Sequence, residues 1–225
     1  MINIKKNYTI SIKLLIFLIL LIGCSSKEKD SATVVLNDIQ IYKNWLSSLE
    51  NENYKKAIIE FDNLSLNHPF SSLAKKSDIM TAYSLYQNNE IKKSISKLKI
   101  FIEMNPNDEF SDYANYLLAM CYYIQVSNQG RDPSLSIKAL NSFMLIITKY
   151  PNSKYAKDSK LKIQYIKNSL ANNELDIGKF YLKKNAPASS IKRFKSILLN
   201  YQNTSSIPET LYRLTEAFLM IGLKK

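Results

Sequence analysis

A recurring turn, preceded at fixed distances by the same two kinds of residue, constrains this chain more than any other feature. The four turns contain Pro69, Pro106, Pro151 and, in place of proline, Gln202. A small residue lies twelve positions before each: Ala57, Ser94, Ala139 and Ser190. A large apolar residue lies eight positions before each: Phe61, Leu98, Phe143 and Phe194. Apolar residues recur at helical spacing through these stretches, and proline ends a helix because it has no N–H to donate. The pattern predicts repeated helices that approach closely at the small residue.

The spacing resembles the tetratricopeptide repeat (TPR), a helix–turn–helix unit of about 34 residues. The first helix of three units fits as well, with small Ala82, Ala119 and Gly178 at matching places, whereas the first unit departs with bulky Trp45. Two-helix units cannot bury their own cores, so they stack. We therefore expect an all-α fold, a superhelical TPR solenoid of about five helix-turn-helix units, the last incomplete. The turns are 37, 45 and 51 residues apart, which predicts an extra loop near 127–131 and a lengthened helix over about 156–183. A final helix is expected over 208–221.

The first 24 residues have the order of a secretory signal peptide. Lys5, Lys6 and Lys13 precede the unbroken apolar run Leu14–Ile22, which ends at Gly23-Cys24. Nine residues that rise about 1.5 Å each cannot cross a hydrocarbon core of roughly 30 Å. The tetrapeptide ending at Cys24 resembles the bacterial lipobox, in which the cysteine is acylated and the chain is cut before it. We therefore predict a lipoprotein signal peptide over 1–23, covalent lipid on Cys24, a polar tether over 24–33 and the TPR domain over 34–225.

The charge of the chain narrows the kinds of partner. All 19 acidic residues but only 28 of the 31 basic ones lie after Cys24, so the mature chain carries a net charge of +9. A basic surface suits acidic partners, anionic lipid or nucleic acid. The lysines are scattered, however, as on solvated helix faces, and we predict no nucleic-acid binding.

Reactive side chains are few. With lipid on Cys24, Cys121 has no disulfide partner, and its apolar helical surroundings predict a buried small hydrophobic residue. The only histidine, His68, lies in a turn without the cysteines or carboxylates of a metal site. No nucleophile–His–acid set is visible. We therefore expect no enzyme activity, no metal and no cofactor apart from the covalent lipid.

Longer motifs follow the lipobox in a particular order. They are Asp112-Tyr113-Ala114-Asn115-Tyr116-Leu117, Arg131-Asp132-Pro133, Tyr150-Pro151-Asn152-Ser153 and Leu170-Ala171-Asn172-Asn173-Glu174. This order resembles the BamD family, the TPR lipoproteins of the outer-membrane β-barrel assembly machinery, over nearly all of residues 20–222. Within it, Asp132 and Pro133 are also explained as a helix start, with Asp132 as cap and Pro133 in the first turn. Arg131 is a candidate for contact with a partner or with a neighbouring repeat.

The resemblance implies a non-catalytic scaffold, anchored by lipid to the periplasmic face of the outer membrane. It implies binding of a BamA-like barrel protein through that protein's periplasmic domains, with Arg193 meeting an acidic residue, and it leaves room for other Bam subunits. It also implies a groove for unfolded outer-membrane proteins in the N-terminal repeats, for which Tyr42, Phe70, Tyr83 and Tyr86 are the candidates. The alternative is a general TPR lipoprotein that scaffolds envelope or peptidoglycan machinery.

Overall fold

The computed structural model describes residues 31–126 and 133–222, and for residues 31–38 it describes the backbone only. The chain divides into two compact units, Met1–Ile41 and Tyr42–Lys225. Of the first unit, only the beginning of one helix lies among the described residues.

The described residues form nine α-helices and no strand. Their bounds are α1 Ser31–Glu50, α2 Tyr54–Asn67, α3 Ala74–Gln87, α4 Ile91–Met104, α5 Ser111–Tyr123, α6 Ser134–Lys149, α7 Lys154–Lys183, α8 Pro187–Asn200 and α9 Ile207–Met220. The lengthened helix predicted over 156–183 is confirmed as α7. The last helix, expected over 208–221, lies one residue earlier. None of the helices in the described ranges combines the length and apolarity that a membrane span requires.

The junctions that end α2, α4, α6 and α8 share one backbone conformation. Their cap residues have φ between −133° and −128° and ψ between 42° and 61°; these residues are His68, Asn105, Tyr150 and Tyr201. The first three precede a proline, which disfavours helical geometry in the residue before it. Tyr201 precedes Gln202 and takes the same conformation, so the fourth turn is a true member of the repeat.

The turns within three of the helix pairs use a left-handed residue that is not glycine. Glu52, Asn89 and Asn185 have φ of 55°, 61° and 54°. In each turn the next N–H donates to a carbonyl five residues back, at 2.8 to 3.0 Å, which closes the first helix. Asparagine tolerates this conformation better than most side chains, and the chain thereby makes tight turns with few glycines.

The small and large repeat positions lie where the pattern placed them. All four small residues and all four large ones have a relative exposure of 0%. Where the small residue is serine, its hydroxyl donates to the facing helix: Ser94 Oγ to the Ala82 carbonyl at 2.8 Å, and Ser190 Oγ to the Gly178 carbonyl at 2.9 Å. A small side chain thus permits close approach, and a hydroxyl at this position also pairs with the neighbouring backbone.

Successive helices pack against one another along the chain, as in a TPR-like solenoid. Helices α2 to α9 each contact the next, and the first helices of neighbouring units also touch, α3 with α5, α5 with α7, and α7 with α9. With α1, they make four pairs and a ninth, unpaired helix among the described residues, which confirms the expected all-α TPR architecture. At 30 residues, α7 is the longest described helix.

Candidate binding surfaces

Five half-buried tyrosines from three first helices form a row along one side of the repeats. Tyr83 and Tyr86 come from α3, Tyr113 and Tyr116 from α5, and Tyr155 from the start of α7. The Tyr155 ring stacks on Tyr116 with centroids 4.6 Å apart and on Tyr113 at 5.4 Å. Tyr83, Tyr86 and Tyr113 pack on the same apolar cluster. We call these five residues the tyrosine row.

Three hydroxyls of the tyrosine row, those of Tyr86, Tyr113 and Tyr116, are held in the neutral form. Burial raises the pKa of Tyr86, Tyr113 and Tyr116, and for Tyr116 its hydrogen bond to Asp158 raises the pKa further. Tyr116 donates to Asp158 Oδ2 at 2.6 Å, and the Tyr83 hydroxyl accepts from Gln87 Nε2 at 2.6 Å. A surface of flat rings with neutral hydroxyls can contact apolar side chains and pair with peptide groups at once.

The structure brings together two of the four residues predicted for a substrate groove. Tyr83 and Tyr86 lie one turn apart in the tyrosine row. Tyr42 is only 6% exposed and packs edge-on against Phe61, with centroids 5.6 Å apart. The Lys76 ammonium lies 4.9 Å from the Tyr42 ring centroid. Phe70, in the turn after α2, is fully exposed. Tyr42 thus belongs to the core between α1 and α2, and Phe70 projects from a junction.

Tyr113, Tyr116 and Tyr155 are members of the row that sequence reasoning did not select. A signal for the α5 pair was present, since Tyr113 and Tyr116 repeat the i, i+3 spacing of Tyr83 and Tyr86. No comparable signal marks Tyr155, which reaches the row through the packing of α7 beside α5.

Arg193, the predicted contact for a barrel protein, makes an ion pair within the chain. Its Nη1 donates to both carboxylate oxygens of Glu174 on α7, at 3.1 and 3.2 Å. The Arg193 side chain remains 40% exposed, against 21% for Glu174. Its Nε and Nη2 groups make no hydrogen bond within the described part of the chain. One edge of the guanidinium therefore holds α8 to α7 while the other faces outward. Cys24 and Arg131, the remaining predicted residues, lie outside the described residues.

Cys121 is a buried thiol, as its surroundings predicted. It is 0% exposed, and burial raises its pKa to about 11, although the Ser94 hydroxyl at 3.4 Å opposes the shift. A thiol in this setting is protonated and unreactive. Over residues 31–126 and 133–222, no three His, Cys, Asp or Glu side chains are grouped so that they could hold a metal ion.

Helix pairs that stack through small and large repeat residues, with an aromatic row on their first helices, define a TPR-type repeat protein. The outer membrane lipoprotein family YfiO matches residues 36–225, and the chain belongs to this family. It is 39% identical over 210 residues to the outer membrane protein assembly factor BamD of Rickettsia prowazekii, covering 93% of this chain and 83% of that protein.

Two further relatives carry the same name. Identity to BamD of Caulobacter vibrioides is 34% over 206 residues, covering 90% of this chain and 67% of the relative. Identity to BamD of Vibrio cholerae is 26% over 222 residues, covering 93% of this chain and 90% of that relative.

Proposed function

We propose that this chain is a non-catalytic scaffold lipoprotein of outer-membrane protein assembly, held by lipid on Cys24 at the periplasmic face of the outer membrane. The stacked helix pairs carry this proposal, because a repeat array of this kind offers extended surfaces to other proteins. Its family is described as outer membrane lipoproteins, and its relatives are named assembly factors. Together these support assembly of outer-membrane proteins over a general role in envelope or peptidoglycan machinery.

The tyrosine row supports binding of unfolded outer-membrane proteins. An extended segment presents apolar side chains and unpaired backbone groups, and tyrosine rings and hydroxyls complement both. We propose the substrate surface at Tyr83, Tyr86 and the α5 tyrosines. Tyr42 is buried in the core between α1 and α2 and is not part of it, and the exposed Phe70 remains a separate proposed contact. The protein would hold such a segment without chemical change.

The C-terminal half is proposed to bind a BamA-like barrel protein through that protein's periplasmic domains. Arg193 has an outward edge with unused donors, and a guanidinium pairs strongly with a partner carboxylate. Arg131 is a second proposed contact, and other Bam subunits would occupy further surfaces.

Affinity capture of the tagged chain from solubilised envelopes of its native host tests the proposal. We expect a BamA-like barrel protein among the captured proteins. Capture of cell-wall synthases without any BamA would contradict the proposal and support the general TPR scaffold.

Two variants separate the roles of Arg193. Arg193→Glu places like charges together and is expected to weaken BamA capture. Glu174→Gln breaks the ion pair within the chain but frees the guanidinium, so capture should be kept or improved. Equal loss in both variants would show that the pair only holds α8 on α7. Circular dichroism of both variants checks that the helices persist.

Cys24→Ala tests the anchor independently of partners. Without the thiol there is no lipid attachment, and the protein should leave the membrane fraction or remain uncleaved. A cleaved form of this variant that still fractionates with the outer membrane would refute lipidation.

A further inference from the structure

A groove of about 740 Å³ opens between α2 and α4, the second helices of the first two pairs. Its apolar lining comes from Ile58 and Ile59 of α2, Leu85 of α3 and Ile100 of α4. Ile59 is 63% and Ile100 57% exposed. Leu66 and Met104, one to two turns further along α2 and α4, are also exposed. Large apolar side chains that share a groove in this way are typical of a surface covered by a partner.

Thr81 lies in the lining of this groove with an unused hydroxyl. The residue is 2% exposed, and its Oγ1 has no hydrogen-bond partner among the described residues. A helical threonine usually donates to the carbonyl four residues before it, and a buried hydroxyl left unpaired is costly. A ligand group that entered the groove would satisfy it.

The rim of the groove carries positive charge that the chain does not neutralise. Lys97 bridges Asp62 and Asp78, and Lys93 pairs with Glu90. Asp62 and Glu90, the two acidic residues that line the groove, are both engaged in these ion pairs. Lys55 and Lys92 also line the groove, and neither makes a salt bridge within the part of the chain that the structure describes. Two ammonium groups at the rim are therefore available to carboxylates of a ligand.

We propose that this groove binds an amphipathic segment of a partner protein, with apolar side chains between Ile59 and Ile100 and carboxylates at Lys55 and Lys92. A concave apolar lining between two helices, with a buried hydroxyl, fits an inserted segment better than a flat lipid surface. The site is separate from the tyrosine row. At 100° per residue, Thr81 and Leu85 lie on the opposite side of α3 from Tyr83 and Tyr86. The proposal therefore does not rest on the substrate or barrel contacts proposed above.

Photo-cross-linking in the native host tests which molecule binds in the groove. A photoreactive residue replaces Ser96, which lines the groove, and in a matched control it replaces Asn141, which occupies the same repeat position on α6. We expect a Ser96-specific adduct with a peptide that contains apolar and acidic residues. Combining Lys55→Glu with Lys92→Glu should lower its yield about tenfold, as a loss of two charge contacts would. Lipid adducts alone, no Ser96-specific adduct, or a yield unaffected by charge reversal would overturn the proposal.

A defined probe provides a second measurement on the full chain in detergent. The probe is a labelled helical peptide of about four turns with a leucine face and flanking glutamates, and its control carries lysines in place of the glutamates. Fluorescence anisotropy should show at least about tenfold tighter binding of the acidic peptide. Ile100→Glu should abolish this preference, whereas Ile137→Glu, at a 44% exposed isoleucine of α6, should not. Equal affinity for both peptides, or equal effects of the two substitutions, would refute the assignment. Binding to anionic phospholipid vesicles but to neither peptide would assign the groove to lipid instead.

Discussion

Gly178→Ala should change the unfolding free energy in two opposite ways, through helix propensity and through overpacking of the core. The net change tests how closely α7 and α8 approach each other. A methyl group added at Gly178 would lie 2.4 Å from Cε1 of Phe194 and 2.8 and 2.9 Å from two other ring carbons. Ordinary carbon–carbon contacts are about 3.5–4.0 Å, so the ring would have to retreat by about 1 Å. Phe194 is 0% exposed and lies within the buried cluster that α7, α8 and α9 share.

Whether the substitution stabilises or destabilises the protein depends on the sizes of the helix-propensity gain and the overpacking cost. Replacing a mid-helix glycine by alanine stabilises a helix by about 1 kcal/mol. Overpacking a close-packed core costs about 1–3 kcal/mol, and three clashing ring atoms place this site near the upper end. We therefore expect a net loss of about 2 kcal/mol in unfolding free energy. With a urea slope of about 2 kcal/mol/M, the unfolding midpoint would fall by about 1 M.

A double-mutant cycle with Phe194→Leu supplies the control. Leucine lacks Cε1 and Cζ, two of the three ring carbons nearest to the new methyl group, so Gly178→Ala in that background should cost much less than in the parent or be stabilising. Urea unfolding followed by circular dichroism at 222 nm measures all four proteins. A Gly178→Ala protein that is about 1 kcal/mol more stable than the parent would show that helix propensity alone acts, and would refute the close contact.

Two other predictions concern titratable groups. Burial raises the pKa of Asp108, but hydrogen bonds from Lys75 Nζ at 2.8 Å and the Phe110 N–H at 3.0 Å outweigh it, so the pKa lies below its usual value. Asp108→Asn should therefore cost about 1 kcal/mol at pH 7, and the deficit should shrink as the parent carboxylate protonates below about pH 4; a deficit independent of pH in urea titrations would contradict this. For Cys121, whose pKa is raised by burial to about 11, a thiol reagent at pH 8 should label a Cys24→Ala protein only after urea unfolding. Rapid labelling of the folded protein would show that the thiol is accessible.

The helices and the repeat register were predictable from local features. Prolines mark three of the four junctions, and small and large residues keep fixed distances from them. The fourth junction shows that proline is not required, because Tyr201 takes the shared conformation before Gln202. The small and large residues lie twelve and eight positions before the turn, so each set is contained in one helix and its end. The sequence of one helix therefore predicts which of its side chains face the neighbouring helix.

The binding surfaces were less predictable, because they join residues from different units. Arg193 and Glu174 meet only because α8 packs back along α7, and Tyr155 joins the tyrosine row because α7 packs beside α5, with α6 between them in the chain. Composition and helical spacing describe each helix by itself, but they do not give the relative position of two helices that pack together. The aromatic content of the first repeats was predictable, whereas the division between core Tyr42 and half-buried Tyr83 depended on how α1 to α3 pack.

The length of α7 has a consequence for how the C-terminal half of the protein opens. In a repeat array built from short helices, a terminal unit can unfold with little effect further in. Here one rod of roughly 45 Å contacts α5 and α6 along one part of its length and α8 and α9 along another. Detachment of α8 and α9 would leave Ala171 and Leu175, which are buried in their shared core, exposed on a helix still anchored at its other end. Helices α5 to α9 should therefore exchange amide protons as one cooperative block, and a partner that binds the C-terminal end is mechanically coupled to the middle of the protein.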